Sequence, residues 1–428
     1  MTLRTVRSKR SWQSCALRSV LALVAASWLG QVVAMDELAP QRRPVKTIAP
    51  ERLKIKTVLG EALVPAYINC DMTKVQSHIK RAVIVVHGRL RDADKYFDLS
   101  MHAAKASNAL SETLIIAPQI LINADTARHD LTPNFARWKS EAWLGGDVGK
   151  APFAISSFEV LDGIISLLSD RAHFPNLERI VVAAHSGGAQ FVQRYAVVGR
   201  ADQVLTAAGL RPYADGIEPA AGRSNVMRVR YVVANPSSYV YFDSTRPKPV
   251  EKCAEFDHWR YGLVDPVPYA RGDNKALEQR YLTRRVIYMA GGNDVDPNHA
   301  ALDKTCMAET QGANRLERGL NYFAHEQKRA KLQGVTLRHT RVEVPSVAHD
   351  AERMFNSVCG MSALFDAPGC ELKLGDSFVA PTATAMSAIH ATAAATGSGT
   401  AIGTGTGTGT GTGSASGSTA TRHSQVKP

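Results

Sequence analysis

Short apolar runs rich in β-branched residues alternate along this chain with stretches of helical length that carry apolar residues on one side. This alternation is typical of a parallel sheet covered by helices, because each parallel strand needs a helical crossover before the next. The sequence therefore predicts an α/β fold, with a mostly parallel sheet and helices on both faces, formed by one domain over residues 51–375. The strand candidates are residues 81–86, 113–117, 178–184, 226–234, 284–290 and 335–344, and the clearest helix candidates are residues 153–169 and 314–333.

The first 34 residues are typical of an export signal. A basic start leads into the apolar run 20–29, which extends to Val33, and small residues at Val32 and Ala34 precede an acidic stretch. The apolar run is shorter than the roughly 20 residues that cross a bilayer, so removal after Ala34 is favoured over an uncleaved anchor. No other segment is long enough to span a membrane. We therefore expect a secreted or periplasmic mature protein.

Two further segments are expected to lie outside the folded domain. Residues 35–50 contain three prolines and charges of both signs, which indicates a linker. Residues 376–428 become rich in Ala, Thr and Gly and include a run of Thr-Gly repeats at 403–413. Such a composition has little to bury, so it predicts an unstructured tail.

The formal charge of +12 raises the question of a nucleic-acid partner. Five of the positive charges lie in the export segment, which contains no acid, and their removal leaves +7. The other basic residues are scattered among acidic ones, which disfavours binding to a phosphate backbone. The hydrophobic share of 45% also excludes a wholly disordered, collagen-like or coiled-coil protein.

Five cysteines remain once Cys15 leaves with the export segment, which suits an oxidising compartment and permits two disulfides and one free thiol. Cys359 and Cys370 close a short loop and are the preferred pair, and Cys253 with Cys306 is the second choice. Buried free thiols are the alternative for either pair. No C-x-x-C or H-x-x-x-H spacing is present, so a metal site is not indicated.

A candidate nucleophile lies in the sequence Ala184-His185-Ser186-Gly187-Gly188. These residues follow a predicted buried strand and precede a helix-like stretch, which matches the small-x-Ser-x-Gly pattern of a nucleophile elbow. Small residues are needed because the sharp turn between strand and helix brings the two backbones close together. The sequence thus predicts Ser186 as nucleophile, with a loop-capping serine as the alternative.

A serine nucleophile needs a base and an acid, and both have candidates that follow later strands. His349 lies in a loop after the last predicted strand, where a general base can reach Ser186. Asp294 follows the preceding strand at G-x-x-D spacing and is the preferred acid. Asp296, which precedes a proline, is expected to cap a turn or helix, and Asp243 remains a third candidate.

Two backbone N–H groups are predicted to stabilise the oxyanion that forms when a serine attacks a carbonyl. One is that of Gly187, directly after the nucleophile. The second is expected from the loop after strand 81–86, where Arg89 is favoured over Gly88. His87, in the same loop, is expected to be structural.

Aromatic residues near these loops are candidates for the substrate pocket. Trp138 and Trp143 lie between a strand and the helix before the elbow, where they either border the pocket or pack in the core. Tyr239 and Tyr241, after strand 226–234, are candidates for aromatic contact with the substrate.

Four motifs in this order resemble the α/β-hydrolase superfamily, over about residues 81–357. They are H-G-R-L-R-D-A-D-K-Y-F at 87–97, A-H-S-G-G at 184–188, G-G-N-D at 291–294 and V-A-H-D-A-E-R-M-F at 347–355. The resemblance is closest to secreted serine esterases and lipases, although Ala184 replaces the usual first glycine of the elbow. It implies an eight-stranded, mostly parallel sheet and a Ser-His-Asp triad. It also implies hydrolysis of a small or lipid-like carboxylic ester without a cofactor. A peptidase or amidase of the same fold and a non-catalytic secreted binding protein are the alternatives.

Overall fold

The strands form one large sheet and a small separate one. The computed structural model describes residues 39–214 and 225–381, all within one compact unit. The predicted export segment and nearly all of the predicted tail lie outside these residues. The strands are β1 (Glu51–Thr57), β2 (Gly60–Ile68), β3 (Arg81–Val86), β4 (Thr113–Pro118), β5 (Leu121–Ile122), β6 (Arg137–Trp138), β7 (Arg179–His185), β8 (Arg211–Ala214), β9 (Val226–Ala234), β10 (Arg285–Gly291), β11 (Thr340–Val344) and β12 (Ser377–Val379).

The large sheet has the order β1-β2-β4-β3-β7-β9-β10-β11-β12, with β8 also paired to β9. Within the described part of the chain, only the β1–β2 and β2–β4 pairs of this sheet are antiparallel, so the prediction of a mostly parallel α/β sheet is confirmed. Strands β5 and β6 form a separate two-stranded ribbon. The described residues thus contain ten strands in the large sheet rather than eight. The additional strands include β8 and β12, which are short and have no apolar run from which they could be predicted.

Helices cover both faces of the large sheet. Strand β3 illustrates the two faces, since Ile84 and Val86 enter one apolar cluster and Val83 and Val85 the other. This alternation follows from the two-residue period of a strand. The helices are α1 (Ala93–Ala106), α2 (Asn123–Arg128), α3 (Ser157–Leu168), α4 (Gly187–Val198), α5 (Ala201–Ala207), α6 (Asn274–Leu282), α7 (Cys306–Glu309), α8 (Arg315–Gln333), α9 (Ala351–Phe355) and α10 (Val358–Phe365). No helix among them is long and apolar enough to cross a membrane.

The strand predicted at residues 335–344 is shorter in the structure, where β11 covers only Thr340–Val344. Helix α8 ends at Gly334, whose φ of +65° is the left-handed conformation that favours glycine. Residues 335–339 then connect to β11 rather than extending it. His339 is buried in this connection, with hydrogen bonds to Glu326 (2.9 Å) and to the carbonyl of Tyr281 (2.8 Å). Side-chain bonding therefore replaces sheet pairing there.

Part of the predicted linker is held against the domain. The buried guanidinium of Arg91 donates to the carbonyl oxygens of Gln41 and Arg43, both at 2.6 Å, and pairs with Asp125. The backbone N–H of Val45 donates to the same aspartate at 2.8 Å. At the other end, β12 pairs with β11 just beyond residue 375, inside the segment predicted as tail.

Both preferred cysteine pairs are joined as disulfides. Cys253 pairs with Cys306, with Cα atoms 5.7 Å apart, and Cys359 pairs with Cys370, at 5.0 Å. Cys70 is free among the described residues. The predicted connectivity is therefore confirmed.

Candidate active site

Ser186 lies at a sharp turn between β7 and α4. Its φ of +60° and ψ of −124° are a strained combination for a residue with a side chain. The turn is held by a hydrogen bond from the Ser186 N–H to the Ala234 carbonyl (2.9 Å). A Cβ atom on Gly188 would come within 3.0 Å of the carbonyl oxygens of Val86 and His87. The close approach of two backbones explains the small residues around the serine.

The structure brings Ser186, His349 and Asp294 together from three separate loops. Oγ of Ser186 lies 2.8 Å from Nε2 of His349, and Nδ1 of the same ring lies 2.8 Å from Oδ2 of Asp294. The partners assign the tautomer: Nδ1–H donates to the carboxylate, and Nε2 accepts from the hydroxyl. A hydroxyl, an imidazole and a carboxylate are thus linked in a continuous chain of hydrogen bonds.

The other oxygen of Asp294 is held by Arg315, a residue that sequence reasoning missed. Nη1 of Arg315 lies 3.1 Å from Oδ1 of Asp294, and its Nε donates to Oγ of Ser237 at 3.0 Å. The side chains of Arg315 and Asp294 are almost fully buried. Burial alone raises the pKa of Asp294, but the hydrogen bond from His349 and the charge of Arg315 outweigh it and hold the pKa below its usual value. The carboxylate therefore stays ionised.

Asn235, at the end of β9, connects the two loops that carry the acid and the histidine. Its Oδ1 accepts from the N–H of Gly291 at 2.8 Å, and its Nδ2 donates to the carbonyl of Ala348 at 3.2 Å. A direct backbone bond from Asn293 to Val347 (2.9 Å) joins the same loops. Asn235 directly follows the predicted strand 226–234. Its signal was a polar residue at the carboxyl end of a buried strand.

Burial lowers the pKa of His349 below its usual value, and the nearby charge of Arg315 acts in the same direction. The hydrogen bond to Asp294 opposes this shift without cancelling it. The rings of His185 and His299 lie 4.5 and 5.0 Å away, centroid to centroid. Burial also lowers the pKa of His185 far below its usual range. His349 is therefore neutral near pH 7 and able to accept a proton.

The two alternative acids lie elsewhere. Asp296 is exposed, and its Oδ1 accepts from the N–H of Asn298 at 2.8 Å, the turn-capping arrangement expected for it. Asp243 pairs with Arg329 at 3.0 Å. Neither carboxylate contacts His349.

The predicted oxyanion donors, Gly187 and Arg89, belong to adjacent backbone segments. A Cβ atom on Gly187 would lie 3.3 Å from the backbone nitrogen of Arg89. Neither N–H has an acceptor among the described residues. His87, in the same loop, is fully buried: its Nδ1–H donates to the carbonyl of Gly88 (2.8 Å), and its Nε2 accepts from Ile120 N–H (2.9 Å). Burial lowers the pKa of His87 to about 4, which fits the structural role expected for it.

A pocket of about 550 Å³ opens on Ser186 and His349. Small, apolar and charged side chains all contribute to its wall. Gln41, in the part of the predicted linker that Arg91 binds, also lines the pocket. Other lining residues include Leu90, Asp92, Lys95, Ala300, Ala301, Ala351 and Glu352.

The four aromatic candidates for the pocket are all buried in the core: Trp138, Trp143, Tyr239 and Tyr241. Trp138 is fully buried and donates from Nε1 to the carbonyl of Asp147 at 2.9 Å. Trp143, also fully buried, packs edge-on against His87. Tyr239 is 2% exposed and stacks on Tyr322. None of them lines the pocket at Ser186, because their rings belong to the apolar core. The prediction that they form the wall of the substrate pocket is therefore corrected.

Within the described residues, His, Cys, Asp and Glu side chains nowhere form a group of three or more that could hold a metal ion.

The fold is similar to solved structures of hydrolases. Poly(aspartic acid) hydrolase-1 from Sphingomonas sp. KT-1 is 20% identical with a TM-score of 0.50, and the match covers 75% of this chain and 99% of that chain. The poly(3-hydroxybutyrate) depolymerase LpqC from Bordetella parapertussis is 19% identical with a TM-score of 0.48, covering 82% and 100%. No protein-family model matches the sequence, and no curated protein matches it. The chain thus has the α/β-hydrolase fold, as its motifs predicted.

Proposed function

We propose that the protein is a secreted serine hydrolase that cleaves carboxylic esters through an acyl-enzyme intermediate. The observation that carries the proposal is the unbroken hydrogen-bond chain from Ser186 through His349 to Asp294. Such a chain makes a serine hydroxyl nucleophilic without a cofactor, because the imidazole removes its proton and the carboxylate stabilises the resulting imidazolium.

In the first half of the proposed reaction, Oγ of Ser186 attacks the ester carbonyl carbon while its proton passes to Nε2 of His349. The tetrahedral oxyanion is held by the N–H groups of Gly187 and Arg89. Collapse of this intermediate breaks the bond to the alcohol oxygen, which takes the proton from His349. An acyl group remains on Ser186.

Water completes the cycle by the same path. His349 takes a proton from the water, whose oxygen attacks the acyl carbon, and then returns the proton to Oγ of Ser186 as the acid leaves. Asp294 keeps the imidazole oriented throughout. Its own proton affinity stays low because His349 and Arg315 hold its two oxygens.

Labelling with a fluorophosphonate probe tests this proposal. The wild-type protein should form one covalent adduct at Ser186 and hydrolyse a short 4-nitrophenyl ester, and Ser186→Ala should lose both activities while keeping its melting temperature. Ser77→Ala, at an exposed serine, serves as the matched control and should behave as wild type. Retained turnover in Ser186→Ala would move the nucleophile elsewhere. Absence of both labelling and turnover in the wild type would favour a non-catalytic binding protein.

Secretion is part of the same proposal. The two disulfides support it, because such bonds persist in oxidising compartments. Expression with and without residues 1–34 tests it: the full chain should appear outside the cytoplasm with Met35 as its first residue. Retention of the full chain in the cytoplasm would contradict this part of the proposal alone.

A further inference from the structure

A second pocket, of about 370 Å³, adjoins the pocket that opens on Ser186. Arg89 and Ala301 line both pockets. Gln190, which lies one helical turn after Ser186 on α4, lines the second, as does Arg260. A substrate bound at the proposed nucleophile can therefore extend one of its ends into this second space.

Arg260 has free donors facing this space. Its side chain is partly buried, and its one hydrogen bond with the described residues is a long contact of 3.4 Å from Nη1 to the carbonyl of Glu141. No carboxylate of the described residues lies within 4.0 Å of its guanidinium. The other cations of the pocket are already engaged: Arg89 pairs with Glu141, and Lys304 lies 3.5 Å from Glu309.

A second guanidinium lies directly behind the pocket wall. Arg194 is fully buried and has no carboxylate partner among the described residues. It donates to the carbonyl oxygens of Leu144 (2.9 Å) and Arg260 (3.3 Å), to Oε1 of Gln190 (3.0 Å) and to Oγ of Ser238 (3.1 Å). Burial lowers the pKa of Arg194 to about 9, with a further contribution from the charge of Arg260, so the group stays charged at neutral pH. Four neutral acceptors satisfy its N–H groups, and the carboxylates of Asp303 and Asp147 act on its charge without contacting it.

The acids of the pocket offset part of this positive charge but leave the N–H donors of Arg260 unoccupied. Glu141 is held by Arg89. The carboxylate of Asp303 accepts from the hydroxyl of Tyr261 and from Oγ1 of Thr305, both at 2.8 Å. Arg260 therefore keeps guanidinium donors that no carboxylate of the described residues occupies, and these donors are open to a ligand.

We propose that the second pocket binds a carboxylate group carried by the ester substrate, with Arg260 as its direct partner. The substrate class is thus an ester whose acyl or alcohol part ends in a carboxylate. A guanidinium suits this role because its planar set of donors matches the two oxygens of a carboxylate. This inference rests on the proposed ester hydrolysis at Ser186 and specifies its substrate.

Matched ester pairs test the inference on the full-length protein. Mono-4-nitrophenyl adipate is compared with 4-nitrophenyl hexanoate, and 4-acetoxybenzoate with its methyl ester. In at least one pair, the charged ester should have a kcat/KM about tenfold or more above that of its neutral partner, as expected for a hydrogen bond between charged groups. Arg260→Gln should reduce that ratio about tenfold, whereas Arg271→Gln, at an exposed arginine outside the pocket, should leave it unchanged.

Protection of Ser186 gives a readout that needs no variant. Adipate should slow fluorophosphonate labelling of the wild type, and hexanamide should not. Hydrolysis of all four esters with no preference for the charged member of either pair would overturn the inference and leave the proposed function standing. A preference that survives Arg260→Gln would also overturn it. If no ester is hydrolysed and Ser186 is not labelled, the proposed function itself fails.

Discussion

Arg315 contributes to the site through a single hydrogen-bonded charge pair. It fixes one oxygen of Asp294 while His349 binds the other, so the carboxylate cannot rotate away from the ring. Its charge also lowers the pKa of His349. The same residue therefore positions the acid and adds to the effect of burial, which keeps the base neutral to lower pH.

Arg315→Met should move the acid limb of the pH–activity profile upwards. The rate depends on neutral His349, so activity rises with pH through its pKa, which lies below the ordinary value of about 6.5. Removing the nearby positive charge raises that pKa, so more activity should be lost at pH 5 to 6 than at pH 8. At the optimum, kcat/KM should fall about tenfold or more, because Asp294 loses a buried hydrogen bond.

Arg315→Lys is the control for charge. It keeps the positive charge and loses the bond to Ser237, so the acid limb should stay near its wild-type position even if the rate falls. An acid limb that does not move in Arg315→Met, measured as kcat/KM from pH 4.5 to 9, would contradict this role for Arg315.

The assignment of the acid makes a separate prediction. Asp294→Asn should lower kcat by about 10³- to 10⁴-fold, because an amide in this position favours the wrong tautomer of His349. Asp296→Asn should stay within about twofold of wild type, since its carboxylate caps an exposed turn. Steady-state kinetics of the two variants on one 4-nitrophenyl ester show which of the two aspartates orients His349. The reverse ranking would exchange the two roles.

At the scale of elements, the turn from β7 to α4 depends on the absence of side chains. Gly188→Ala should lower the free energy of unfolding by about 1–3 kcal/mol, because its Cβ would clash with two carbonyl oxygens of neighbouring backbone. Gly272→Ala is the matched control, since its Cβ would meet only Leu277 at ordinary contact distance, and it should change stability by less than about 0.5 kcal/mol. Urea unfolding measures both. Equal stability of the two variants would show that the turn is less crowded than described.

Elements with a continuous apolar run were predictable, and others were not. Strands β3 and β9 match their predicted bounds, because central parallel strands are buried on both faces. Strand β1 alternates between exposed and buried residues, so it has no continuous apolar run from which it could be predicted. Strand β12 has three residues and pairs only with β11, so its existence depends on the neighbouring strand rather than on its own composition.

At the scale of the whole molecule, the Cys253–Cys306 disulfide joins two loops that both contribute to the second pocket. Arg260 follows Cys253 by seven residues, and Thr305 directly precedes Cys306. The two cysteines are 53 positions apart in the sequence. The bond therefore restricts a long stretch of the unfolded chain.

Replacing both of these cysteines with alanine should cost more stability than replacing Cys359 and Cys370. Loop-closure entropy gives roughly 4 kcal/mol for the longer loop and roughly 3 kcal/mol for the shorter one. Thermal melting of the two double variants measures the difference. Loss of any preference for charged esters should accompany the first change alone. A larger destabilisation on losing the short loop would show that native packing, rather than loop length, dominates.

The amino-acid sequence by itself determined the fold class, and it supplied the preferred candidates for the two disulfides and for the proposed triad. The fold class and the triad candidates are encoded locally, in the period of a strand, the size of the residues at a sharp turn, or a polar residue directly after an apolar run. Only the tertiary structure decided what surrounds those residues. Arg315 and Asn235 meet their partners, and Arg260 reaches the second pocket, across distances that no local pattern records. Trp138 and Trp143 are core residues because they belong to an apolar cluster formed by many segments. The physical reason is that burial and pairing depend on which distant segments come together.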